Sequence, residues 1–385
     1  MARKHRRSGP RPVDRIWTRG VPDLAAPLAR ALSLTGSEPR WTHGFHTYPA
    51  GLPADATGLL LAQLAEGPVL DPFCGGGTVL VEAQALGRSA LGADLSPVAQ
   101  LVAATRTWRP DPADITAMRS AARRITAAAR AEPRPPQDPI LQDTAQWFEP
   151  HVMAELEALR LGILDAPAQV QGALWCCLSS LLIKVSHRAS DTSQRRVEQR
   201  RPPGTTAVLF HKKARELGRR IERYVQAVPE GTPAASAALA DARTWAPGVT
   251  GSALLTSPPY PGVYDYLPLQ ALRVAWLGLD DSRGRRQEIA SRRGFRAERR
   301  RALATWRRDS QAWLANMRQA LHPGSRGIVI IGDGQVGERH IDALEETVRA
   351  AEHAGWHPLA SASGERPDPG RRSQRQEHIV LLERP

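Results

Sequence analysis

Residues 67–107 constrain the fold more than any other stretch of the chain. Pro68-Val69-Leu70 is a short apolar run that ends in Asp71, and the glycine cluster Gly75-Gly76-Gly77 follows at once. A helical stretch over 79–86 closes at Gly87, a second apolar run over 89–95 carries Asp94, and 97–107 is helix-like again. Strand, glycine turn, helix, strand and acid make a βαβ unit, whose two strands must be parallel with a right-handed crossover. The alternation then stops. Residues 111–231 are mostly helical in pattern (115–131, 151–164, 169–185, 206–228), broken by a proline-rich link at 132–139 and a polar, arginine-rich loop at 186–204. Strand-like runs return at 252–256, 327–331 and 378–383, the last two separated by a helical segment at 340–354. The expected fold class is α/β, one doubly wound sheet interrupted by a helical insertion. Residues 1–40 read as a basic N-terminal arm, 41–110 and 232–385 as the sheet domain, and 111–231 as the insertion.

The chain has 385 residues, 42% of them hydrophobic and 24% charged, enough for a sizeable core. Lysine and arginine exceed aspartate and glutamate by 52 − 39 = 13. An excess of that size suits a polyanionic partner, because net charge bears on association more than on fold. Three cysteines, two of them adjacent (Cys176, Cys177), make no disulfide framework and no zinc-type spacing, so no metal is expected and a reducing, cytoplasmic setting fits. The apolar stretch at 173–185 reads as too short and too polar to span a bilayer, and the basic N-terminus lacks the apolar run of a signal peptide.

Glycines between a strand and a helix let a ligand approach the backbone and tolerate positive φ. Asp94 follows Asp71 by 23 residues, the spacing at which a strand-end acid accepts hydrogen bonds from the ribose hydroxyls of an adenosine ligand. No Gly-Lys-[Ser/Thr] follows the turn, which excludes a phosphate-binding P-loop. A tight turn without a ligand is the rival reading; the strand-end acid and its spacing weigh against it.

The run DPFCGGGT (71–78) resembles the cofactor motif of the S-adenosylmethionine-dependent amino-methyltransferases that act on exocyclic amines of bases. GADLSP (92–97) resembles the second motif of that group, and HGFHTYPA (43–50) is similar to the HxYPA segment that precedes the glycine turn and walls the methionine end of the cofactor. ADAR (240–243) resembles the third acidic position, whose carboxylate or neighbouring backbone meets the adenine amine. The resemblance covers 41–110 and 236–385 and implies a Rossmann-like class I methyltransferase with S-adenosyl-L-methionine as cofactor. It places His46, Tyr48 and Pro49 at the cofactor, with Asp71, Phe73, Cys74, Gly75, Gly77 and Thr78 of the turn. Asp94, Leu95, Asp241 and Ala242 complete the implied set. Since this cofactor carries no phosphate, Asp71 suits its ammonium and Asp94 its ribose.

Leu254-Leu255-Thr256-Ser257-Pro258-Pro259-Tyr260 ends an apolar strand with a hydroxyl, two prolines and an aromatic ring. An exocyclic base amine is a poor nucleophile because its lone pair is delocalised into the ring. It becomes reactive when acceptors hold both N–H groups and favour a tetrahedral nitrogen aimed at the methyl group. Ser257 and the main-chain carbonyl of Pro258 are the expected acceptors, with the backbone fixed in advance by Pro258 and Pro259. Tyr260 is expected to stack on the target base, flipped out where the substrate is a duplex. Methylation at a ring carbon is disfavoured, since it needs a nucleophilic cysteine beside this strand and Cys74 sits in the cofactor turn. By the same resemblance, Ser at the first motif position implies cytosine N4 in DNA; the alternatives are the same chemistry on tRNA or rRNA, or adenine N6 in DNA, and more remotely a non-catalytic nucleic-acid-binding protein. Tyr264-Asp265-Tyr266 resembles a YDY run that trails this motif in some bacterial DNA methylases, and it is a candidate for lining the base pocket.

Eleven arginines lie between Arg283 and Arg308, and five more between 186 and 204. Both clusters are expected to touch a phosphate backbone, DNA first and RNA second, and the insertion is the candidate recognition region. Trp306 and Trp313 read as core positions of a helix, and Trp147, Phe148 and Trp175 as packing residues of the insertion.

Overall fold

The computed structural model describes residues 15–34, 40–48, 52–190, 193–263, 265–336, 339–367 and 374–385. Pro49, Tyr264 and residues 1–14 and 35–39 of the expected arm lie outside them. An eight-stranded sheet runs in the order Ile16–Gly20, His357–Pro367, Gln374–Glu383, Leu321–Gly332, Gly251–Thr256, Val69–Asp71, Ala90–Asp94 and Ser236–Leu239. The last five of these are parallel to one another, whereas Gln374–Glu383 is antiparallel to both of its neighbours. This is a doubly wound, Rossmann-like sheet, as the sequence predicts. Chain order reverses between Val69–Asp71 and Gly251–Thr256, and ligands of open α/β sheets bind outside the carboxyl ends of strands at such a switch point.

Side-chain alternation along the central strands sorts residues onto two faces. Val69, Ala253 and Leu255 face the helices Pro22–Ser33, Ala54–Leu61 and Thr78–Ala85, while Leu70 and Leu254 face Arg299–Ala320 and Ala343–His353. Trp313 is buried in that second layer and Trp306 in a smaller cluster with Ile289, Phe295 and Ile341, both as their positions on the helix predict. A third core is built on the insertion helices Pro112–Ala131, Pro150–Leu164, Ala168–Val185 and Thr205–Ala227 and takes in Phe45, Val98, Val102, Leu272 and Trp276 from outside the insertion. Phe148 is buried there, and Trp147 and Trp175 pack against it.

Ala168–Val185 is long and apolar enough to cross a membrane by length and composition, contrary to the sequence reading. Eleven of its residues are buried against neighbouring helices, so its apolarity serves packing. The insertion is also stitched to the segment after the strand Gly251–Thr256. Trp276 Nε1 donates to Thr144 Oγ1 (3.2 Å), Arg273 Nε to Ser179 O (3.2 Å) and Arg188 Nη1 to Leu269 O (3.3 Å).

Three strands of the eight-stranded sheet escape the sequence reading. His357–Pro367 is rich in alanine and serine and lacks a β-branched run; it is held in place by strands on both sides. Ser236–Leu239 is a short edge strand. Ile16–Gly20, within the expected basic arm, adds an antiparallel edge to His357–Pro367, and its mostly exposed residues show no apolar alternation to read. The arginine-rich loop likewise contains a small hairpin, Arg188–Ser190 with Ser193–Arg196.

Candidate active site

The strand ends at the switch point open onto one cleft, about 750 Å³ when counted out into its open mouth. Tyr48, Phe73, Gly75, Asp94, Leu95 and Ala242 line it, and so do Ser257, Pro258 and Pro259. The cofactor turn and the proline-pair loop thus share a cleft.

The turn has the backbone that its glycines require: φ is +48° at Gly75 and +77° at Gly77. At Gly77 a Cβ would also stand 2.9 Å from Ala103 Cα, so the close packing of two helices depends on its absence. Asp94 holds the turn from the next strand. Its Oδ2 accepts the Gly75 N–H (3.0 Å) and its Oδ1 the Ser96 N–H (2.8 Å). Each oxygen retains acceptor capacity on the cleft wall, which is what a ribose diol needs. Arg106, which sequence reasoning missed, is buried and joins the two cofactor segments, donating to Gly76 O (2.7 Å) and His46 O (2.6 Å). Burial lowers its pKa only to about 10, so it stays cationic.

Several expected cofactor residues sit elsewhere. Asp71 is buried beneath the turn, where its Oδ1 accepts from Thr256 Oγ1 (2.7 Å) and Phe73 N–H (3.2 Å). It latches the strand Val69–Asp71 to the strand Gly251–Thr256 and does not line the cleft; burial pushes its carboxyl up to about 7. Asp241 is clamped by Arg243, whose Nε and Nη2 donate to it while Nη1 reaches Asp309 (2.9 Å). The backbone neighbours Ala240 and Ala242 face the cleft instead. His46 bonds Ser179 Oγ of the insertion (2.9 Å) and is held neutral by burial and by the nearby Arg273 and Arg106. Cys74 is buried behind the turn against Gly92, with its thiol pKa raised, and Thr78 merely opens the following helix.

Tyr260 is the main departure at the catalytic loop. Its hydroxyl donates to Glu377 Oε1 (3.0 Å), and its ring fills the space beside Gly332, so it braces the loop from behind. A methyl group at residue 332 would collide with that ring. Gly332→Ala is therefore expected to shift the Ser257–Pro259 backbone and slow methyl transfer about 10²-fold, with cofactor affinity kept within about twofold. Single-turnover kinetics beside calorimetry check this, and an unchanged rate contradicts the bracing role.

Tyr266, Leu267, Glu288, Ile289, Pro72 and Ser96 complete the wall. Pro72 and Ser96 belong to the two cofactor motifs and Tyr266 to the YDY run; Leu267, Glu288 and Ile289 were not among the expected site residues. Asp265 cross-links the adjoining segments, accepting from Ser291 Oγ (2.8 Å) and the Arg293 N–H (3.0 Å).

Burial pushes the Asp94 carboxyl up to about 6. Protonation occurs on the acid side and removes an acceptor for the ribose. Affinity for S-adenosylhomocysteine should thus be level from pH 7 to 8 and fall toward tenfold per unit as pH drops below about 6. Calorimetry from pH 5 to 8 checks this; a flat profile contradicts it.

The arginine clusters divide into structural and free groups. Arg285 pairs with Asp281 (2.7 Å), Arg293 with Asp265 (3.4 Å) and Arg307 with Glu346. Arg286, Arg292, Arg296, Arg299, Arg300 and Arg308 form no ion pair among the described residues, and they belong to the same segment as Glu288 and Ile289 of the cleft wall. In the insertion hairpin Arg188 is buried with its guanidinium 6.0 Å from the Trp147 ring, whereas Arg195, Arg196 and Arg200 are exposed.

A family model described as UPF0020, RMKL-like methyltransferase domain, matches residues 54–132, the span of the glycine turn and Asp94. The match is to a methyltransferase domain and covers this segment alone. No curated protein sequence matches the chain. Among solved structures, TrmN from Thermus thermophilus is similar at 12% identity and a TM-score of 0.34, over 86% of this chain and 48% of that one. This chain thus spans about half the length of TrmN. The glycopeptide N-methyltransferase MtfA, complexed with S-adenosyl-L-methionine, is similar at 10% identity and a TM-score of 0.32, over 86% and 87% of the two chains. The rRNA methyltransferase aviRa from Streptomyces viridochromogenes is similar at 13% identity and a TM-score of 0.31, over 94% and 92%.

Proposed function

We propose that this domain transfers the methyl group of S-adenosylmethionine to an exocyclic amine of a nucleic-acid base, with folded RNA as the polymer. One observation carries the reading: Gly75 and Asp94 open onto the same cleft as Ser257, Pro258 and Pro259. The bound cofactor supplies an electrophilic methyl carbon. Asp94 holds its ribose and fixes where that carbon points. The Ser257 oxygen and the Pro258 carbonyl accept the two N–H groups of the amine, and the paired prolines keep the acceptors in place before substrate arrives. The unpaired arginines beside the cleft and those of the hairpin supply phosphate contacts.

RNA is put ahead of DNA on the placement of Tyr260. The ring that would receive a base turned out of a duplex is committed to Gly332 and Glu377. An amine on a base already unpaired in an RNA loop needs no unstacking energy, and Tyr48 and Tyr266 stand on the cleft wall as rings against which such a base can stack. Cytosine N4 in DNA is the second reading, supported by Ser257 through the resemblance.

The test is incubation of the protein with methyl-labelled cofactor and, separately, total RNA or DNA, followed by mass spectrometry of the nucleosides. Label on a base amine of RNA is expected. N4-methylcytosine from DNA alone would favour the second reading, and label on a ring carbon or in neither polymer would contradict both.

A further inference from the structure

Glu288 lies between the helices Ser282–Gln287 and Arg292–Ala297, with 7% of its side chain exposed. One oxygen, Oε1, accepts the Leu267 N–H at 3.1 Å. The other, Oε2, is buried and forms no hydrogen bond among the described residues; the Arg293 guanidinium stands 3.7 Å from it. Burial, with Asp265 nearby, raises the carboxyl above its ordinary range. A buried carboxylate oxygen without a hydrogen bond is costly, and this one belongs to a side chain on the cleft wall.

The sheet says which part of a ligand reaches it. The strand ends run in the order Ser257, Gly75, Asp94 and Ala240, so a nucleoside whose ribose rests on Asp94 with its reactive end toward Ser257 places its base against Leu95, Ala240 and Ala242. The segment that carries Glu288 covers that end. A Cβ on Gly284 would stand 2.7 Å from the Leu95 carbonyl oxygen, and Arg243 Nη2 donates to Gln287 O at 3.1 Å. Asp241, the acid on the nearby strand, is held by Arg243 and does not line the cleft.

We propose that Glu288 accepts the 6-amino group of the cofactor's adenine, reaching it from the covering segment in place of Asp241. The assignment rests on the cofactor reading above. It makes a residue about 190 positions beyond Asp94 part of the same nucleoside site, and it ties the arginine-rich segment to the bound cofactor.

The test compares the binding of S-adenosylhomocysteine with that of its 6-oxo counterpart, S-inosylhomocysteine, by calorimetry at pH 8. The parent protein should prefer the amino compound by about tenfold or more, because the 6-oxo group sets an acceptor against a carboxylate. In Glu288→Gln the amide oxygen still accepts the Leu267 N–H, so the segment keeps its anchor, while the amide NH2 donates to the 6-oxo group. The preference should shrink about tenfold or reverse. A variant that keeps the parental preference overturns the proposal, and slowed methyl transfer in such a variant would give the carboxylate to the target base. A parent that binds both compounds without discrimination also overturns it. Binding of neither would defeat the cofactor reading itself.

Discussion

Ser257→Ala is expected to slow methyl transfer by roughly 10²–10³-fold while S-adenosylhomocysteine still binds within about twofold. Ser257 stands just past Thr256 at the end of the central strand, and the backbone there is set by the two prolines and by Tyr260 behind them. Alanine fits the same space, and Tyr260 keeps its bond to Glu377, so the loop keeps its course; what disappears is one acceptor for the amine together with the Ser257 bond to Tyr260. An acceptor that acts only as the nitrogen becomes tetrahedral is felt in the rate and little in cofactor binding. Single-turnover transfer from labelled cofactor, measured beside calorimetry, separates the two. Equal losses in rate and cofactor affinity would make Ser257 part of the cofactor site and not of the amine site.

Asp94→Ala is expected to weaken cofactor binding about 10²-fold or more. The carboxylate does two things at once: it offers acceptors to the ribose, and it holds the amide groups of Gly75 and Ser96. Removing it forfeits the ribose contacts and leaves two backbone donors unbonded at the turn, each loss worth about 1–3 kcal/mol. Titration calorimetry gives the affinity, and an unchanged far-ultraviolet circular dichroism spectrum shows that the sheet has survived. Binding within about threefold of the parent would remove Asp94 from the nucleoside site.

The parts legible in the sequence are those whose physics is local. Gly75 and Gly77 announce the turn because their backbone needs positive φ, and the insertion helices announce themselves by apolar spacing. Pairing partners far away in the chain leave no such mark. His357–Pro367 becomes a strand because its neighbours hold it, although its own residues are poor strand formers. Asp71 has the residue type expected of a cofactor contact, but Thr256, 185 positions on, claims its oxygen. The clamp on Asp241 by Arg243, only two residues away, is by contrast a local feature that the spacing already contained. Leu267, Glu288 and Ile289 reach the cleft through the packing of the 266–297 segment over Leu95, which no motif spacing encodes.

A structure of the protein with bound S-adenosylhomocysteine tests the shared cleft most directly. The account predicts the ribose hydroxyls on Asp94, the sulfur turned toward Ser257, and the adenine under the segment that carries Glu288. A ligand seated away from the 75–94 turn, or with its sulfur directed away from Ser257, would contradict it.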